Sequence, residues 1–359
     1  MIELKNVERS YKTGPTNAWF LCGIESPRRW PQRSLLAVVA FILAACLPVA
    51  QCFAANPNGK TKKAAPAPLA PGAYFGLKPP GKTPEIFALG IISQTNRLVD
   101  HIAFSPDGSE CVFTVWGPNY SSAKIFWTKR AGDAWTPQVE APFSVGHYAM
   151  SASFSMDGNR LYFSYGGHGS SDLWMVQRTA QGWSDPTRLA SPINSAGQNS
   201  SYSETADGIV YFSSNRPGSQ GADHLDDIWR TRRVPGQPLQ VEDLGATVNS
   251  TAADFDPFIA RDGSYLIFTS ERPGSIGGSD LYVSFPNGNG GWTAPLNLNK
   301  YCPGINIAGS QTVGPSVSPD GRYLFFTRYT KTATGEQEDI YWVENPVSGP
   351  ALREVPAPK

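Results

Sequence analysis

Asp100, His101, Glu204, Asp254 and Asp256 carry the side chains of this sequence best suited to acting on a ligand. Two carboxyl groups that flank one glycosidic bond can hydrolyse it, one as acid and the other as base or nucleophile. Retaining enzymes hold such a pair about 5–5.5 Å apart and inverting ones about 6.5–9.5 Å. The same oxygens suit a bound Ca²⁺ or ordered water, or simply a polar, solvated opening. Trp116 and Tyr120 sit in a stretch without close counterparts elsewhere in the chain, so with His101 they are the candidate ligand contacts. Other chemistry finds no support. His101, His147, His168 and His224 stand singly, without H-x-x-x-H spacing, so no metal site is expected. The chain has no G-x-S-x-G elbow and no phosphate loop, and no cofactor is implied.

These residues sit within a repeat. Asp-Gly pairs fall at 107–108, 157–158, 207–208, 262–263 and 320–321, with spacings of 50, 50, 55 and 58 residues. Each lies before a run such as Leu161-Tyr162-Phe163-Ser164 or Leu266-Ile267-Phe268-Thr269. Asp-Gly between β-rich runs marks a hairpin, because Gly accepts the positive φ of the turn. A third run opens on an acid at Asp172, Asp227, Asp280 and Asp339, and on Lys124 in the first unit. A fourth recurs as Ala134-Trp135, Gly182-Trp183 and Gly291-Trp292. Four short strands at a period near 50 describe a propeller blade. The expected fold is therefore all-β, a propeller of four-stranded blades, with five blades favoured and six as the alternative. The fifth unit lacks a fourth strand, and Gly81-Lys82-Thr83-Pro84-Glu85-Ile86-Phe87 reads as the missing piece, closing the ring.

Repetition assigns most of these residues to structure. Trp174, Trp229 and Tyr282 share one position, as do Trp135, Trp183 and Trp292, which is the pattern of inter-blade packing. The arginines Arg216 and Arg272 are expected to pair with Asp227 and Asp280. Deviations are the functional candidates. Three positions before the Asp-Gly pair the units read Phe104, Phe154, Glu204, Ile259 and Val317, so Glu204 takes an apolar place. Its structural alternatives are a salt bridge to a neighbouring blade or a local register change. The first strands of propellers line the central channel, so Asp100, His101, Asp254 and Asp256 are expected near one opening. Cys111 and Cys302 read as core thiols, with a disulfide as the alternative.

Ser105-Pro106-Asp107-Gly108 and Ser318-Pro319-Asp320-Gly321 resemble the motif of the PD40 or WD40-like repeats found in TolB-type propellers. Asn215-Arg216-Pro217-Gly218 and Glu271-Arg272-Pro273-Gly274 add to the likeness, which spans about residues 81–343. The resemblance implies a propeller. It leaves function open, because the superfamily includes envelope scaffolds, sugar-processing enzymes and gating domains of peptidases.

The first 54 residues read as an extension with an export signal. Arg28, Arg29 and Arg33 precede an apolar run from Leu35 to Ala50. Cleavage after Ala54 is favoured. Lipidation of Cys46 in Leu43-Ala44-Ala45-Cys46 is the second reading, and an uncut anchor the third. Residues 1–14 are similar to the opening strand of ABC-transporter ATPases, a likeness that ends there. Residues 55–80, rich in Pro, Ala and Lys, read as a linker, 81–345 as the propeller and 346–359 as a tail. The chain holds 30 basic and 30 acidic residues, but 55–359 keeps 24 basic and 27 acidic. A net charge of −3 argues against nucleic acid as a partner. The sequence thus points to an exported, periplasmic or outer-envelope module that binds a protein or glycan. The membrane enters only through an N-terminal anchor. A carbohydrate-active enzyme using Asp100, Asp254, Asp256 and Glu204 is the alternative.

Overall fold

The computed structural model describes residues 72–348 apart from 167–169, 221–224, 233 and 334. The signal, Cys46, most of the linker and most of the tail lie outside the described residues. The chain forms five antiparallel sheets in sequence order, a propeller of five blades. The inner strands are Leu98–Phe104, Ala149–Phe154, Asn199–Glu204, Asp254–Ile259 and Ser310–Val317. Each turns through its Asp-Gly hairpin into a second strand, then a third, then a short outer piece. In the fifth blade the outer position is held by Glu85–Ile86, which pairs antiparallel with Trp342 and Tyr341. On the N-terminal side Tyr74 is buried against Phe104, Tyr323 and Phe325.

The repeat is built around a column of aromatics. Phe113, Phe163, Phe212, Phe268 and Phe326 occupy one register on the second strands and are fully buried. Opposite them on the third strands stand Phe126, Trp174, Trp229, Tyr282 and Tyr341. Burying each Phe contributes about 1.5–3 kcal/mol, and five equivalent sites spread that gain round the ring. The outer Trp residues also pack: Trp135 stacks on Phe75, Trp183 meets Phe143 and Phe154, and Trp292 is 7% exposed. Cys111 and Cys302 are both free and buried, so no disulfide joins them.

A second repeated device ties each blade to the next. Just before an inner strand, Ser93, Ser144, Asn194, Asn249 or Asn306 accepts the backbone N–H of Ile340, Ile125, Leu173, Ile228 or Leu281 on the preceding third strand. The three asparagines also donate back to the carbonyl of the same residue. Asn249 is 2% exposed. Its replacement by Ala orphans the Ile228 N–H, so a loss of about 1–3 kcal/mol is expected in urea unfolding. An unchanged midpoint would show the clamp to be redundant.

The arginines do not bind the acids expected from sequence. Arg216 donates to Ser214 Oγ, the Pro192 and Ile193 carbonyls and Asn199 Oδ1. Arg272 binds Ser270 Oγ, the Val248 carbonyl and Asp254 Oδ1. Each guanidinium therefore reaches the loop that enters its own blade. Asp280 instead accepts the N–H groups of Ile276 and Gly277, stapling its own loop.

Candidate functional site

Every inner strand breaks register at the same place. The shifts fall between Asp100 and Ile102, Met150 and Ser153, Ser200 and Ser203, Phe255 and Phe258, and Val313 and Ser316. The bulged residues His101, Ser151, Ser201, Asp256 and Gly314 all have positive φ, from 41° to 58°. A bulge bends its strand and re-aims the side chain. The conformation is unfavourable for most residues and persists where neighbours fix it. Here the neighbour is the preceding blade. Thr327, Thr114, Ser164 and Ser213 on the second strands take the N–H groups of His101, Ser151, Ser201 and Asp256. The fifth N–H, of Gly314, goes to Asp256 Oδ2 at 3.2 Å, and Thr269 Oγ1 at the equivalent place is left without a partner.

The five bulges meet in a hub. His101 Nδ1 lies 2.7 Å from Asp100 Oδ2, and Nε2 lies 3.1 Å from Asp256 Oδ1. Ser201 Oγ donates to Asp256 Oδ1 at 2.5 Å. A Cβ at Gly314 would stand 3.1 Å from the imidazole, so glycine leaves the ring its space. Burial alone would push the His101 imidazole down. The Asp100 and Asp256 carboxylates outweigh burial and hold it well above its ordinary value. Burial pushes Asp256 up, but His101, Ser201 and the Gly314 N–H bring it below the usual range.

The hub is the floor of a cavity of about 750 Å³ that runs to the Asp-Gly hairpins. Its walls include Phe154, Tyr202, Phe258 and Val317, with Met156 and Arg261 towards the hairpins. The candidate carboxylates divide between the two sides. Asp256 and Glu204 line the cavity, whereas Asp100 and Asp254 do not. Asp254 is fully buried and held by Arg272 at 2.6 Å and by Ser250. Glu204 is half-buried and accepts the Met156 N–H at 2.8 Å and the Tyr202 hydroxyl at 2.6 Å. Its neighbouring-blade partner is thus a backbone amide, not a cation.

Trp116 and Tyr120 lie away from this cavity and touch edge to face, with centroids 5.2 Å apart. Tyr120 OH donates to Glu338 Oε2 at 3.0 Å. Burial, reinforced by Asp100, pushes Glu338 up to about 9 and so favours its neutral form. Sequence reasoning missed Glu338, Ser151 and Ser201. The bulge residues share a position but vary in type, and Glu338 has an acidic counterpart in only one other blade, Asp226. Among the described residues no group of three or more His, Cys, Asp or Glu is arranged to hold a metal ion.

No protein-family model matches the sequence, and no curated protein matches it. Solved structures do. TolB from Acinetobacter baumannii aligns at 14% identity and a TM-score of 0.44, over 71% of this chain and 59% of that one. A thermostable family-43 glycoside hydrolase aligns at 12% identity and 0.43, over 69% and 90%. The β-propeller domain of the Trilobed protease from Pyrococcus furiosus aligns at 11% and 0.37, over 68% and 78%. This chain spans less than two thirds of the TolB structure. The likeness concerns the fold.

Proposed function

We propose that the chain is an exported, envelope-associated propeller that binds a protein or glycan partner at its central cavity and catalyses no reaction on it. One observation carries this reading: the oxygens of both candidate carboxylates in the cavity are already committed. Asp256 serves His101, Ser201 and the Gly314 N–H, and Glu204 serves Met156 and Tyr202. A glycosidase working by the two-carboxyl mechanism must offer both groups to its substrate. An apolar-walled cavity with a few fixed polar groups needs none to bind one.

Export rests on the basic and apolar pattern of residues 28–54. The carbohydrate-active reading keeps a place in the test because two of its acids do line the cavity. The purified protein is screened on a glycan array and on a panel of polysaccharides, alongside Glu204→Gln. Binding without product is the expected result. Turnover by the wild type that disappears in Glu204→Gln would overturn the binding reading and make Glu204 catalytic.

A further inference from the structure

The outer edge of each of the first four blades repeats one side-chain pairing. The residue that opens the third strand meets the fourth-strand residue registered two places further on. Blade 1 sets Lys124 against Glu140 at 2.9 Å. Blade 2 sets Asp172 against Arg188 at 2.7 Å. Blade 4 sets Asp280 against the Asn297 amide at 2.7 Å. Each pair has a donor and an acceptor. In blade 3 the same positions are Asp227 and Asp243, two acids within hydrogen-bonding reach of each other.

Blade 4 shows what is missing. There Asn297 Oδ1 accepts the Asn299 N–H and the clamp amide of Asn306, which leaves Nδ2 to donate to Asp280. In blade 3, Asp243 Oδ1 likewise accepts the Gly245 N–H and the clamp amide of Asn249. Its Oδ2 therefore stands where blade 4 has an N–H₂. Asp227 is fully buried, with Oδ2 taken by the Gln220 N–H. Asp227 Oδ1 and Asp243 Oδ2 are sealed from solvent with no hydrogen-bond partner among the described residues. Two ionised carboxylates cannot face each other there without a large cost.

We propose that Asp227 and Asp243 share one proton, and that this makes the outer edge of blade 3 a pH-sensitive joint. The proton replaces the donor that Lys124, Arg188 and Asn297 supply elsewhere. A further charge that reaches Asp227 is Asp254 of blade 4, which Arg272 holds. Burial, with the contribution of Asp243, pushes Asp227 up to about 7. A raised acid binds its proton more tightly folded than unfolded. The pair's stability therefore falls as pH rises from about 4 to about 7 and is flat above that.

The test is Asp243→Asn, which restores the blade 4 chemistry and leaves Oδ1 for Gly245 and Asn249. Its melting temperature is compared with the wild type between pH 4.5 and 8.5. The variant is expected to exceed the wild type by about 3 °C or more at pH 8, with the difference shrinking towards pH 4.5. Carboxyl ¹³C labelling of aspartate should show a group titrating near neutrality that vanishes in the variant. Asp226, also pushed to about 7 by burial and by Asp256, should titrate in both proteins. A difference that is constant with pH, or a variant less stable at pH 8, overturns the shared proton. Stabilisation of the wild type alone by millimolar Ca²⁺ at pH 8 also overturns it, because a cation would then fill the slot.

Discussion

Deleting residues 81–90 is expected to lower the melting temperature of the whole propeller by about 10 °C or more, in one cooperative transition. The segment is ten residues long, but its contacts lie between the two ends of the chain. Phe87 is fully buried. Its ring sits 5.0 Å from both Phe325 and Trp342 of the last blade and 6.1 Å from Phe104 of the first. Its N–H binds the Ile340 carbonyl at 2.7 Å. Truncating one buried Phe costs about 3–5 kcal/mol before any backbone bond is counted. A domain of this kind has about 5–15 kcal/mol in all. The deletion also strips the outer edge of the third strand Gly335–Glu344, leaving its N–H and C=O groups open to another chain. Calorimetry reads the first effect and light scattering the second. A truncated protein that melts like the full chain would mean that the fifth blade needs no strand from the N-terminal side.

The blades were legible in the sequence because their signals are local. An Asp-Gly turn and its flanking runs fall within about 20 residues, and five copies reinforce one another. Repeated Trp and Tyr positions translated directly into packing. The arginines were misassigned because Asp227 and Asp280, the acids that open the third strands, are not the groups the guanidinium N–H atoms bind. A guanidinium finds the loop carbonyls at Ile193 and Val248, and backbone acceptors leave little trace in composition. The clamp was readable and missed: Ser93, Ser144, Asn194, Asn249 and Asn306 recur near the same period, but the change from Ser to Asn hides the series. The bulges were not readable at all. His101, Ser151, Ser201, Asp256 and Gly314 share a strand position and a backbone conformation but no common side chain.

The same misreading shaped the candidate site. Asp100, His101, Asp254 and Asp256 do lie at the inner strands, as their positions required. Asp254 and Asp256, two residues apart, would share a face of a regular strand, but the bulge between Phe255 and Phe258 re-aims Asp256. Asp254 goes to Arg272 and Asp256 to the hub. Spacing alone cannot separate a catalytic pair from two structural acids. What separates them is whether any oxygen remains free.

Asp256→Asn should be the most damaging conservative change at the hub, costing about 3 kcal/mol near pH 5.5. Asparagine tolerates the positive φ of this position, so the loss reports the charge and not the backbone. Asp256 joins four blades: its own, His101 of the first, Ser201 of the third and the Gly314 N–H of the fifth. The pH dependence has a definite sign. His101 has its pKa raised on folding, so its contribution is complete below about 6.5 and is lost as pH climbs through the folded value. Asp256 has its pKa lowered, so its contribution is present above about 3.8 and is lost as pH falls below it. The gap between wild type and Asp256→Asn should thus be widest between about pH 4 and 6.5 and narrow on the alkaline side. Urea midpoints at pH 5.5, 7.5 and 9.5 measure it, with His101→Gln as the variant in which the alkaline decline should be absent. A gap that widens with pH would mean that the imidazole is neutral in the folded protein. The hub would then be a hydrogen-bonded plug and not an ion pair across the ring.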